Sequence, residues 1–263
     1  MGGKDSRQCV ELSGSVGGIG LFATFAAALR EIILQYLPAI VVETKPDPAF
    51  AVIWMHGLGA DGSDFASIVP ELGLDDAPGV RFIFPHAPQI AVTCNGGYVM
   101  PAWYDIVSLE SSSRLVDEVG IIKSRTAIRH LIARENQRGI ASDRIFLAGF
   151  SQGGALAYTS ALTHPEPLAG VIALSTYIPS ERLLVAELSA GNRATPIFAA
   201  HGSEDEVVSS EFGMRARDFL LELGYPLQWH TYPMPHSVCI EEVGAIGVWL
   251  RDRLLAENSA PSL

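Results

Sequence analysis

An α/β fold, a mostly parallel central sheet with helices on both faces, is predicted by three observations. Strand-like and helix-like segments alternate from residue 39 onward. Several of the strand-like segments are apolar throughout, as strands buried on both faces are. One of them runs directly into a glycine-flanked serine and then into a helical stretch. Such alternation is the pattern of parallel strands joined by crossover helices.

In chain order, strands are expected at residues 39–43, 51–55, 80–84, 144–149, 168–175, 195–201 and 227–232. Between them, Leu115, Val119 and Ile122, then Ile128 and Ile132, fall at helical steps and predict one helix buried along that face. Val243, Ile246, Leu250 and Leu254 do the same near the C-terminus, and residues 211–223 form an amphipathic run. No repeat or linker divides residues 39–256, so residues 37–258 are read as one catalytic domain followed by a tail at 259–263.

Residues 1–36 differ in character. The stretch from Leu12 to Leu29 is uncharged, rich in Gly and Ala, and preceded by Lys4 and Arg7. A dispensable extension is the preferred reading. An export signal is the alternative, although Asp5 and Glu11 interrupt its basic start. An anchor is the third, since Met1-Gly2 with Ser6 meets the loose myristoylation pattern, but the stretch is too glycine-diluted for a stable membrane span.

The 263 residues are 48% hydrophobic and 18% charged, an ordinary globular composition. A net charge of −11 with no basic run excludes nucleic-acid binding. Cys9, Cys94 and Cys239 form no C-x-x-C pair, which argues against a disulfide framework or a zinc site and for a reducing, cytoplasmic setting.

The chemistry begins at Gly149-Phe150-Ser151-Gln152-Gly153, between the strand 144–149 and the helical stretch that follows. A serine on so sharp a turn needs small neighbours two before and two after it, and the helix behind it aims free N–H groups at developing negative charge. This is the nucleophile elbow of the α/β-hydrolase fold, which orders its residues as serine, acid, histidine.

Of the histidines after Ser151, His164 sits at a helix end, His230 inside a strand, and His201 at a strand end where a turn role suits it. His236, in a loop after the last strand, is the candidate base. Asp205 and Asp218 are the intervening aspartates. Asp205 lies just beyond a strand and is preferred, whereas Asp218 sits in the amphipathic run. Cys239 is read as a small hydrophobe rather than a nucleophile. Two aimed N–H groups must hold the oxyanion. Gln152, the residue after the nucleophile, is one candidate, and Leu58 in the glycine-rich stretch 56–62 is the other.

These residues sit in a wider resemblance to the bacterial carboxylesterases and acyl-protein thioesterases, the phospholipase/carboxylesterase group. It is carried by HGLGADGSDF at 56–65, FPHAP at 84–88, MPAWYDI at 100–106, GFSQGGALA at 149–157, HGSEDEVV at 201–208, YPMPHSV at 232–238 and then Glu241-Glu242. The chain departs from the group at Ser209 and Ile240, where proline is usual, and at Pro235, where glycine is. The resemblance implies Ser151, Asp205 and His236 as a triad, Leu58 and Gln152 as oxyanion donors, and Trp103 beside the acyl pocket.

The expected activity is hydrolysis of short- to medium-chain acyl esters, and of thioesters, through an acyl-enzyme, with no metal or organic cofactor. Long-chain acyl-protein thioesterase or lysophospholipase activity is the alternative. A serine peptidase would need a large confining domain, and a binding protein would be expected to have lost a triad residue or an elbow glycine. The partner is a small-molecule acyl ester or thioester; a homodimer is left open. With short segments between strands, no large cap and an open, shallow site are expected.

Overall fold

The computed structural model describes residues 36–109 and 114–258. Except for Tyr36, the extension read over residues 1–36 lies outside the described residues, as does the tail at 259–263.

All seven predicted strands form, and in one sheet. In chain order come β1 (Ala39–Glu43), β2 (Phe50–Met55), β3 (Val80–Pro85), two small hairpins made of β4 (Gln89–Val92) with β5 (Tyr98–Pro101) and β6 (Ile106–Leu109) with β7 (Arg114–Val116), then β8 (Ile145–Phe150), β9 (Gly170–Leu174), β10 (Ile197–Gly202) and β11 (Leu227–Tyr232). The sheet order is β1-β3-β2-β8-β9-β10-β11. Only edge strand β1 runs antiparallel, pairing Ala39 with Pro85 and Glu43 with Arg81.

Burial follows from position in this order. β2, β9 and β10 are buried along their whole length, which is why β2 and β9 read as unbroken apolar runs. The edge strand β11 has only half-buried and exposed residues. Alternate side chains Phe50, Val52, Trp54, Phe82, Phe146, Ile172 and Phe198 share one core with Val243, Ile246, Trp249 and Leu250 of α5 (Ile240–Asn258). Ile246, Leu250 and Leu254 are fully buried, as their spacing predicts, and each buried side chain contributes about 1.5–3 kcal/mol. The other face carries α2 (Gln152–Leu162), buried at every residue and packed on β8 and β9. An all-round apolar helix belongs in such a place.

The helix α1 (Glu118–Gln137) corrects the expectation for residues 115–132. Leu115 lies in β7, and Val119 and Ile122 are 59% and 38% exposed. The buried face is Ile121, Ser124, Arg125, Ile128, Leu131, Ile132 and Glu135. Apolar spacing misplaces the first turns because this face carries polar groups with internal partners. Ser124 Oγ donates to the Trp103 carbonyl, Arg125 pairs with Glu187 at 2.6 Å, and Glu135 accepts from Arg81 at 2.7 Å and Arg138 at 3.0 Å.

No helix among the described residues is long and apolar enough to cross a membrane.

One buried group in this frame titrates in an accessible range. Glu242, in the first turn of α5, has no exposed surface. Burial pushes its carboxyl from the ordinary 4.5 up to about 8, and among the described residues neither oxygen has a hydrogen-bond partner. The folded chain therefore holds a proton there that the unfolded chain releases above its ordinary value, so stability falls as pH rises from about 4.5 to about 8 and then levels. Glu242→Gln is expected to match wild type near pH 5 and to exceed it by on the order of 3 kcal/mol at pH 8.5. Denaturant unfolding at the two pH values measures this; an equal difference at both would show that the carboxyl is already ionised in the folded chain.

Candidate active site

Parallel strands present their carboxyl ends at one edge, and the residues singled out for chemistry gather there. The stretch 56–62 leaves β2, Ser151 leaves β8, Asp205 follows β10 and His236 follows β11.

Ser151 holds φ 53° and ψ −120°, a conformation that costs a non-glycine residue about 1–3 kcal/mol and persists only where its surroundings enforce it. Here its N–H donates to the Leu174 carbonyl at 2.9 Å, and its carbonyl accepts from Thr176 Oγ1 at 2.6 Å. The flanking glycines are required. A Cβ on Gly149 would sit 2.3 Å from the Gly153 carbonyl, and one on Gly153 would sit 2.1 Å from the Met55 oxygen.

A cavity of about 220 Å³ has Leu58, Ser151, Gln152 and His236 on its wall, with apolar surface from Ile106, Phe150 and Val207. Among the described residues, the backbone N–H groups of Leu58 and Gln152 meet no protein acceptor. The Gln152 side chain is committed elsewhere: its Oε1 accepts from Trp103 N–H and its Nε2 donates to the Tyr104 carbonyl, both at 2.8 Å. His56 steadies the facing stretch. Its Nε2 accepts from Ala87 N–H at 3.1 Å, so Nδ1 carries the proton and donates to the Gly57 carbonyl at 2.7 Å.

His236 Nδ1 lies 2.6 Å from Asp205 Oδ2, and its ring packs against Phe150 at 4.6 Å. The side chain of Asp205 is buried. Burial alone would raise its pKa, but hydrogen bonds from His201, His236 and the Val208 backbone outweigh this and hold the carboxyl well below the ordinary range. An ionised Asp205 fixes the proton of His236 on Nδ1 and leaves Nε2 free to accept one.

Several expectations change. His201 is no turn residue. It is fully buried within β10, its Nε2 donates to the Val208 carbonyl at 2.8 Å, and the same nitrogen lies 3.4 Å from Asp205 Oδ2. Trp103 does not line the cavity. It is 1% exposed and its Nε1 donates to the His56 carbonyl at 2.8 Å, so it braces the 56–62 stretch from behind. The connection between β3 and β8 is not short: the β6–β7 hairpin brings Ile106 and Arg114 to the cavity wall.

The discarded candidates lie elsewhere. Asp218 is exposed and pairs with Arg217 at 2.7 Å, and His230 stacks on Phe198 at 4.7 Å. His164 is buried away from the cavity wall, and the Cys239 thiol is pushed up by burial, which makes it a poor nucleophile. Ser209, where the group has proline, caps α4 (Ser210–Glu222) by accepting from Glu211 N–H.

Comparison with known proteins agrees with this architecture. A family model described as phospholipase/carboxylesterase matches residues 37–253. Acyl-protein thioesterase 1 of Neurospora crassa is 43% identical over 229 residues, 82% of this chain and 92% of that protein. Acyl-protein thioesterase 1 of Mycosarcoma maydis is 38% identical over 240 residues, 85% of this chain and 100% of that one. Among solved structures, Arabidopsis thaliana SOBER1 superposes with a TM-score of 0.73 at 31% identity, covering 78% of this chain and 99% of its own. Zea mays acyl-protein thioesterase 2 gives 0.74 at 26%, covering 83% and 100%. These relatives are fungal and plant proteins, where the sequence motifs suggest bacterial ones. The chain belongs to the phospholipase/carboxylesterase family of α/β-hydrolases and is a serine hydrolase of acyl esters.

Proposed function

We propose that this enzyme is an acyl thioesterase of the acyl-protein thioesterase type, also active on oxygen esters, with Ser151 as nucleophile, His236 as base and Asp205 as its orienting acid. The observation that carries the choice of thioesters over simple carboxylic esters is the set of curated relatives at 34–43% identity, named acyl-protein thioesterase 1. The grouping of Ser151, His236, Leu58 and Gln152 on one cavity, with Asp205 on His236, supports the residue roles.

In this scheme Ser151 Oγ attacks the acyl carbonyl while His236 Nε2 takes its proton. The carbonyl oxygen, now an anion, receives the N–H groups of Leu58 and Gln152, which have no protein acceptor to leave. The intermediate collapses, His236 gives its proton to the leaving sulfur, and the acyl group stays on Ser151. Water then attacks by the same route and releases the acid. Every proton is carried by His236, so the scheme calls for no cofactor. The free thiols Cys94 and Cys239 support a reducing, cytoplasmic setting.

Steady-state kinetics on matched thioesters and p-nitrophenyl esters from two to sixteen acyl carbons test this reading. Thioesters are expected to match or exceed oxygen esters at equal chain length. Each added methylene held by Leu58, Ile106, Phe150 and Val207 is expected to raise kcat/KM about fourfold, from ~0.8 kcal/mol apiece, until the tail leaves the cavity. Oxygen esters cleaved about 100-fold faster than their thioesters, a gap of ~2.7 kcal/mol, would return the enzyme to the carboxylesterase reading.

A further inference from the structure

Asp205 is seated by more than the donors of its own loop. His201, four residues earlier and fully buried in β10, donates from Nε2 to the Val208 carbonyl at 2.8 Å, and the same nitrogen lies 3.4 Å from Asp205 Oδ2. Val208 in turn gives its N–H to Asp205 Oδ1 at 2.8 Å. One imidazole N–H thus links the end of the strand, the carboxylate and the loop that carries it.

The surroundings are shaped for this ring. Gly213 lies inside α4, where glycine is a poor helix former, and a Cβ there would sit 2.3 Å from His201 Nδ1. Trp229 of β11 packs beside it with ring centres 6.1 Å apart. Nδ1 itself is buried and has no hydrogen-bond partner among the described residues. A buried nitrogen left unpaired costs stability, and an apolar side chain would fill the place without that loss. What the histidine adds over such a side chain is the donor at Nε2.

We propose that His201 is a positioning residue for acyl transfer, its Nε2–H holding the turn from Asp205 to Val208 so that Oδ2 stays directed at His236. The inference rests on the triad roles proposed above. His201 is not on the cavity wall, so it acts through Asp205 and not on the substrate. Without this N–H the Val208 carbonyl loses a buried partner, the turn relaxes, and the carboxylate drifts from a contact held at 2.6 Å. Catalytic groups must stay within about 0.5 Å of their productive geometry, so the loss falls on kcat and leaves KM alone.

The test compares His201→Gln with His201→Met, side chains of similar length and volume of which only the first carries an N–H donor. With p-nitrophenyl octanoate, His201→Met is expected to lower kcat about 30-fold with KM within about twofold, and His201→Gln to stay within about threefold of wild type. In an Asp205→Asn background, adding His201→Met should cost less than about threefold more, because the group it positions is already gone. Equal kcat in the Gln and Met variants, or a full loss repeated in the Asp205→Asn background, would make His201 a packing residue and overturn the proposal. His201→Leu replaces His201→Met if that variant unfolds; if both apolar variants unfold while His201→Gln folds, the role is structural and the proposal falls as well. An active Asp205→Asn would instead remove the triad assignment on which it stands.

Discussion

Ser151→Ala is expected to lower kcat by about 10⁴ or more, His236→Ala by a similar factor, and the double variant to be scarcely worse than either, because the two groups act as one unit. The geometry favours clean variants. Ser151 is held by its backbone, through Leu174 and Thr176, so removing the hydroxyl leaves the turn intact. His236 is half-buried in a loop, and its removal opens space against Phe150 without touching the sheet. Circular dichroism should be unchanged in both. Under the proposed scheme the Leu58 and Gln152 N–H groups would still aid attack by water, which is why activity should not vanish. A fluorophosphonate probe should label wild type and fail on Ser151→Ala. Turnover within about tenfold of wild type, less than ~1.4 kcal/mol of barrier, would remove Ser151 or His236 from the proposed machinery.

The inner sheet strands were legible because a doubly covered parallel sheet turns burial into uninterrupted apolar runs, as at Phe50–Met55 and Gly170–Leu174. The elbow was legible because close passage of strand and helix leaves room only for Gly149 and Gly153. Other features depend on contacts far apart in sequence, which leave no periodic trace. The buried face of α1 carries Ser124, Arg125 and Glu135, whose partners lie 21, 62 and 54 residues away at Trp103, Glu187 and Arg81. The β6–β7 hairpin is too short to show an alternation, yet it supplies two cavity residues, Ile106 and Arg114. Trp103 illustrates the limit of resemblance: a motif places it near the site, but only the bonds to His56 and Gln152 show that it works from behind the wall. His201 could have been suspected from its four-residue spacing to Asp205, since both sit where β10 gives way to a loop.

That second histidine sharpens the expectation for Asp205→Asn, a loss in kcat of up to about 10⁴ with the fold preserved. The carboxylate has two differently occupied oxygens. Oδ1 accepts the N–H groups of Val207 and Val208 at 2.9 and 2.8 Å, while Oδ2 faces Nδ1 of His236 at 2.6 Å and Nε2 of His201 at 3.4 Å. An asparagine must keep its oxygen toward the two backbone donors, for the reverse orientation would set N–H against N–H twice. Its NH₂ group is thereby forced toward His236, whose Nδ1 must give up its proton to accept, so the proton moves to Nε2 and the base is lost. His201 can keep the Val208 carbonyl as its acceptor, so it tolerates the change and limits the damage to stability. Steady-state kinetics and thermal unfolding of Asp205→Asn beside Asp218→Asn check this. The first should lose activity with little change in Tm, and the second, exposed and paired only with Arg217, should resemble wild type. If Asp205→Asn retained more than about a tenth of wild-type kcat, a barrier change under ~1.4 kcal/mol, the imidazole would not depend on this carboxylate for its tautomer.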